Sequence, residues 1–182
     1  IGTMGQLPEG SIKLVETVDD VKNLEFSKSV AYVTKTTLSV DDTKDIIDAI
    51  KSRFINVKEP NKNDICYATT NRQQAVKEIA ANCDYFLVIG SPNSSNSLRL
   101  VEVAKNYGAK NCILIENVNE VKTSVFNNAV SIGITASASA PEILVKNLLN
   151  KLSKKFDLNI IESSFEKEDI HFKIPQKLKE AS

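Results

Sequence analysis

Cys66 lies in Asp64-Ile65-Cys66-Tyr67-Ala68-Thr69-Thr70-Asn71-Arg72, just ahead of a helical pattern. A thiol at a helix N-terminus is favoured as thiolate, which is both a nucleophile and a soft metal ligand. A lone cysteine is equally a small buried hydrophobe, and the residue type alone does not choose between them. Cys83 falls at a helix end and Cys112 in a strand pattern, so both read as packing residues. The three cysteines are widely spaced and form no C-x-x-C pair, which argues against a zinc site from this chain alone and against a disulfide framework. A reducing compartment follows. His171 is the single histidine and lies in the tail, so no Ser-His-Asp or Cys-His machinery can be assembled.

Three further loops are dense in hydroxyls and amides: Thr34-Lys35-Thr36-Thr37-Leu38-Ser39, Gly90 through Ser97, and Ala136-Ser137-Ala138-Ser139-Ala140-Pro141. Each follows a strand and opens a helix. Free N–H groups and the positive dipole end attract anions there, and hydroxyls add directional donors. Ser and Asn are also the residues that helix starts prefer, so capping accounts for any one loop taken alone. Three on one sheet edge suggest a pocket for a phosphate or diphosphate, built mostly from neutral donors. Neither G-x-x-x-x-G-K-S/T nor G-x-G-x-x-G occurs, so the ordinary nucleotide-binding loops are not supported.

The elements that must position these loops alternate between β-branched runs and amphipathic helices. Strands are predicted at Ile12–Val15, Val30–Thr34, Tyr85–Ile89, Cys112–Ile115 and Val130–Ile134. Helices are predicted at about Val18–Leu24, from Ser39 through Phe54, at about Asn71–Ala81, after Asn96 to Tyr107, over Val118–Phe126, and from Pro141 at the first helical position. Gly108 reads as a C′ residue. The tail shows possible strands at Asn159–Ile161 and Ile170–Ile174. Strand, loop, helix, repeated, predicts an α/β fold: parallel sheets flanked by helices, as repeated βα domains around a central site. The divisions read as residues 1–62, 63–156 and a tail from 157 to 182.

Of the 182 residues, 42% are hydrophobic and 25% charged, ordinary values for a globular chain with its own core. Lys+Arg and Asp+Glu balance at 23 each, which argues against a nucleic-acid or membrane-surface binder. No apolar run is long enough to span a bilayer. The N-terminus, Ile1-Gly2-Thr3-Met4, has no secretory pattern and does not begin with Met; the expectation is a start inside a longer protein.

The loops then match a family. Tyr32 through Asp42, Asp64 through Gln73, Gly90 through Ser97 and Thr135 through Pro141 resemble 4-hydroxy-3-methylbut-2-enyl diphosphate reductase, the last enzyme of the non-mevalonate isoprenoid pathway. The resemblance runs in order from Gly2-Thr3-Met4-Gly5-Gln6 to Phe172-Lys173-Ile174-Pro175. It implies a cytoplasmic iron–sulfur enzyme that reductively removes the substrate's allylic hydroxyl. Its products are isopentenyl and dimethylallyl diphosphate. The electrons come from an external donor such as ferredoxin or flavodoxin. Cys66 matches one of three cysteine ligands of a 4Fe-4S cluster. Ser94, Ser95, Asn96 and Ser139 match diphosphate-holding positions, and Thr36 matches a threonine implicated in proton delivery.

Three positions depart from the family. Pro92 stands where Lys is usual, Leu98 where Asn is frequent, and Ser137 where Gly is common. The family's first domain and the opening of its second, with two cluster cysteines, the substrate-contacting histidines and the proton-donor glutamate, have no counterpart here. The expectation is a truncated reductase, inactive alone and prone to self-association, or completed by a separately encoded first domain. The alternative is a non-catalytic diphosphate-binding fragment or gene remnant.

Overall fold

The computed structural model describes residues 2–25, 29–60 and 64–162. Two parallel sheets organise them. The first pairs β1 (Val30–Ala31) with β2 (Val57–Lys58). The second has the order β4-β3-β5, from Cys112–Ile115, Tyr85–Ile89 and Ile132–Ala136. Five helices accompany them among the described residues: α1 (Val18–Lys22), α2 (Val40–Arg53), α3 (Tyr67–Ile79), α4 (Ser95–Asn106) and α5 (Glu142–Ser153). The expected α/β architecture is therefore observed.

Strand β3 is the centre of the larger sheet, and its sequence Tyr-Phe-Leu-Val-Ile is apolar on both faces, as a strand covered on both sides must be. Phe86 and Val88 pack with Val76, Leu100, Val103 and Ala104 beneath α3 and α4. Leu87 and Ile89 face the other way, onto Ile115, Phe126, Leu148 and Leu152 beneath α5. The alternation follows from the two-residue period of a strand. Helix α5 carries an apolar stripe at helical spacing: Leu148 and Leu152 are buried, and Leu144 and Phe156 pack against them. Gly108, at φ +96°, ends α4 in the left-handed region.

Several boundaries differ from expectation, each for a local reason. Ile12–Val15 forms no strand; among the described residues no ladder partner meets it. Val30–Thr34 pairs only at Val30–Ala31 and is partly exposed rather than buried. Tyr32 N–H still reaches Lys58 O at 3.4 Å, but Thr34 N–H turns to the Asp64 carboxylate at 2.7 Å and leaves the ladder. Strand β2, which pairs with it, is too short for its periodicity to announce it. The predicted Val130–Ile134 strand is shifted to Ile132–Ala136 because the Asp84 carboxylate takes the N–H groups of Val130 and Ser131 at 2.8 and 3.1 Å.

Helix α3 begins four residues earlier than predicted, with Cys66 as its N-cap. Pro141 is likewise the N-cap of α5 rather than its first helical residue. Val118–Phe126 forms two 3₁₀ turns, Val118–Glu120 and Thr123–Phe126. Asn159–Ile161 is not a strand. The predicted Ile170–Ile174 strand, His171 and the boundary at Asn61–Asn63 lie outside the described residues.

Candidate functional site

The chain reverses direction across the larger sheet at β3: β4 lies on one side and β5 on the other. Loops that follow strands at such a point open a crevice at the strands' C-terminal ends. The β3–α4 and β5–α5 loops meet there. Ser137 N–H donates to Ile89 O at 2.8 Å, Asn96 Nδ2 donates to Ser137 Oγ at 3.4 Å, and the Ser137 and Ser139 hydroxyls lie 3.3 Å apart. The β1–α2 loop joins from the other sheet. Lys35 Nζ donates to Ser95 Oγ at 2.7 Å, and Cys66 N–H donates to Thr36 O at 3.1 Å. That last bond fixes the chain direction at Cys66, where α3 begins.

Ser94 caps α4, its Oγ accepting Ser97 N–H at 3.4 Å, and Ser95, Asn96 and Ser97 follow as the first turn. No acidic residue occupies that turn, so the positive end of the helix is left uncompensated. Ser94 is half-buried, Ser95 and Ser139 are exposed, and Asn96 is 6% exposed. Three buried polar atoms have no partner among the described residues: Thr37 Oγ1, Asn96 Oδ1 and Ser97 Oγ. All three belong to the loops singled out from the sequence. Buried polar groups are normally satisfied, and leaving one unmade costs about 1–3 kcal/mol.

Cys66 is solvent-exposed, and its side chain makes no capping bond, so the sulfur is accessible. Cys83 is buried and Cys112 half-buried, and burial pushes both thiols up, away from thiolate character. Cys83 and Cys112 pack with the core beneath α3 and α4, whereas Cys66 stands outside it. Among the described residues, no group of three or more His, Cys, Asp or Glu could hold a metal ion. Cys66 thus suits a soft metal as one ligand, and the described residues do not supply the rest.

Two residues that hold the site together were not singled out. Gln73 is 1% exposed; its Nε2 donates to Leu38 O at 2.9 Å and its Oε1 accepts Val40 N–H at 3.4 Å. It ties the Thr36 loop to the Cys66 helix. Its signal was a polar residue on the buried helical stripe Thr69, Gln73, Val76, Ala80. Ser137, noted as one of the loop hydroxyls and as a departure but given no role, is 2% exposed and bridges Asn96 to Ser139. Pro92 and Leu98 are both exposed. Behind the loops, Asp41 on α2 binds Lys77 on α3 at 2.7 Å and accepts the Tyr107 hydroxyl at 2.7 Å. The Lys77 ammonium, and then the Tyr107 hydroxyl, hold the Asp41 carboxyl below the usual carboxylate range.

The sequence is similar to proteins of known activity. It is 47% identical over 184 residues to 4-hydroxy-3-methylbut-2-enyl diphosphate reductase of Beijerinckia indica subsp. indica, covering 100% of this chain and 58% of that protein. It is 48% identical over 182 residues to the reductase of the same name from Cereibacter sphaeroides, covering 99% and 57%. The structure of the E-1-hydroxy-2-methyl-but-2-enyl-4-diphosphate reductase from Plasmodium falciparum superposes with a TM-score of 0.86 at 32% identity, over 99% of this chain and 57% of that one. The chain therefore spans less than three fifths of the length of these relatives. The model of the LytB protein family matches residues 1–153. A match of that extent, with these relatives, shows that the chain belongs to the LytB protein family.

Proposed function

We propose that this chain forms the diphosphate-holding wall, and contributes one cluster-binding thiolate, of a 4-hydroxy-3-methylbut-2-enyl diphosphate reductase. The observation that carries the reading is the meeting of three hydroxyl loops with the Cys66 helix through Lys35–Ser95, Thr36–Cys66 and Asn96–Ser137–Ser139 bonds. Ser94, Ser95, Asn96 and Ser139 orient the substrate's diphosphate. The Ser94 and Ser95 oxygens already accept bonds within the protein, which leaves each O–H free to donate outward. The N–H groups of Ser95 and Asn96 have no partner among the described residues and point the dipole of α4 at the same anion.

In the reaction, the allylic C–O bond breaks, the hydroxyl leaves as water, and two electrons and two protons enter to give isopentenyl or dimethylallyl diphosphate. A 4Fe-4S cluster, when bound, supplies electrons drawn from a donor such as ferredoxin or flavodoxin. On this chain Cys66 would hold it, and the thiolate's softness suits it to that role. The Thr36 hydroxyl, on the residue whose carbonyl anchors the Cys66 backbone, passes a proton toward the leaving oxygen. The remaining ligands and the carboxylic proton donor come from residues outside this sequence, on the same polypeptide or a separate one. The domain divisions at residues 62 and 156 belong to this reading, supported by the two separate sheets. Among the described residues no helix is long and apolar enough to cross a membrane; a cytoplasmic setting is part of the proposal.

Anaerobic reconstitution with iron and sulfide tests the reading. This chain alone should give neither stoichiometric four-iron absorbance nor turnover, and adding a polypeptide with the family's first domain should restore both. Full cluster and turnover from the chain alone would overturn it. A non-catalytic diphosphate-binding fragment is the second reading, supported by the same hydroxyl loops, which could hold an anion without a cluster. It predicts diphosphate binding with no turnover even after that addition.

A further inference from the structure

The anion site just described is short of positive charge. Its hydroxyls, carboxamide and backbone donors are neutral, and two cations on the neighbouring helices, Lys77 and Arg99, are committed to carboxylates. Lys77 pairs with Asp41 at 2.7 Å, and Arg99 with Asp42 and Glu102 at 2.9 and 2.7 Å. Lys35 is different. Its ammonium is exposed, it donates to a neutral hydroxyl, Ser95 Oγ at 2.7 Å, and among the described residues no carboxylate lies within ion-pair distance of it. Two carboxylates flank the region, and both have other partners: Asp64 accepts Thr34 N–H at 2.7 Å, and Glu116 accepts the Ser91 hydroxyl at 3.4 Å.

Lys35 reaches the first residue of α4 from a loop 60 residues away in sequence. The ammonium is thereby stationed at the exposed Ser95, which opens the first turn that offers Ser95 O–H, Ser95 N–H and Asn96 N–H. We infer that Lys35 is the charged arm of this site: it binds the anion's oxygens beside Ser95 and sets a preference for the more highly charged diphosphate over a monophosphate. The inference rests on the proposed diphosphate site and adds to it a binding residue from the other sheet. An ammonium–phosphate contact is a charge-assisted bond, stronger than the ammonium–hydroxyl bond it would supplement or replace. Because the site is open to solvent, the gain is moderate and salt-sensitive.

The test is calorimetric titration of the full chain with inorganic diphosphate and with inorganic monophosphate, at about 10 mM and about 0.5 M ionic strength, which brackets strong and weak screening. The parent should bind diphosphate more tightly than monophosphate. Lys35→Gln should weaken diphosphate binding roughly fivefold at low salt, a typical size for one exposed charge pair. The deficit should shrink at high salt, and Lys35→Arg should stay within about twofold of the parent, since it keeps the charge. Lys35 is exposed, so the variants should melt with the parent. A Lys35→Gln affinity equal to the parent's would overturn the inference and leave the anion site standing. Equal losses in Lys35→Gln and Lys35→Arg, or a loss insensitive to salt, would also overturn it, because shape and not charge would then be at work. Absence of diphosphate binding by the parent would overturn the site reading and this inference with it.

Discussion

Gly90 ends β3 and opens the Ser91–Asn96 loop, and its replacement by alanine tests whether that loop is held as tightly as the geometry implies. A Cβ at position 90 would lie 2.8 Å from Ser97 Cβ, closer still to Ser97 Oγ, and 3.1 Å from Ser137 Cβ. Ser97 is 0% and Ser137 2% exposed, so neither can swing into solvent. The φ at Gly90 is not positive, so the backbone can accept alanine and the collision is the whole effect. Overpacking of this kind costs typically 1–3 kcal/mol, and two immobile neighbours place Gly90→Ala near 3. For a chain of this size that is a fall in Tm of roughly 6–12 °C. Urea unfolding should report the loss, and diphosphate titration should report weaker binding because the first turn of α4 must shift. Ser97→Gly in the same chain removes the closest obstruction. The double variant should therefore recover part of the loss, with a coupling of about 1 kcal/mol or more in a double-mutant cycle. Strictly additive effects, or a Gly90→Ala protein as stable as the parent, would refute the packing argument.

Thiol labelling of the native chain should show one fast site, mapped by peptide mass to Cys66 and lost in Cys66→Ser, with the half-buried Cys112 slower and the buried Cys83 reacting only on unfolding. Fast labelling at Cys83 would contradict its burial. The backbone N–H groups of Val130, then Ser131, hold the Asp84 carboxyl below its usual range. A carboxyl lowered on folding adds stability above its unfolded value of about 3.9, and that stability is lost as pH falls through the folded value. The Tm of Asp84→Asn should therefore trail the parent's at neutral pH, and the gap should close only as pH falls below the ordinary carboxylate range through the lowered folded value; a pH-independent gap would refute the assignment. Among the described residues, Leu14, Val33, Ile55, Val130 and Ile161 are exposed by 67% or more, and the chain expressed alone should self-associate. A sharp monomer peak at high concentration in sedimentation would count against it.

The alternation of apolar runs and amphipathic stripes was enough to give the parallel α/β class, the bounds of β3 and β4, and the buried face of α5. These are local properties with a fixed period, so a window of ten residues carries them. The hydroxyl-rich strand-to-helix loops around Thr36, Ser94–Asn96 and Ser139, and Cys66 ahead of a helix, could be picked out as turns dense in polar side chains, whereas the role of each residue in them was implied only by the family resemblance. What the sequence left undecided was settled by polar side chains acting at long range. Asp64 draws Thr34 out of its ladder across 30 residues, Asp84 delays β5 across 46 and 47, and Gln73 anchors the start of α2 across 33 and 35. A carboxylate or carboxamide declares no partner in its own neighbourhood. Only the packed fold determines which backbone N–H it takes, and so where a strand stops, where Cys66 begins its helix, and that Lys35 reaches Ser95.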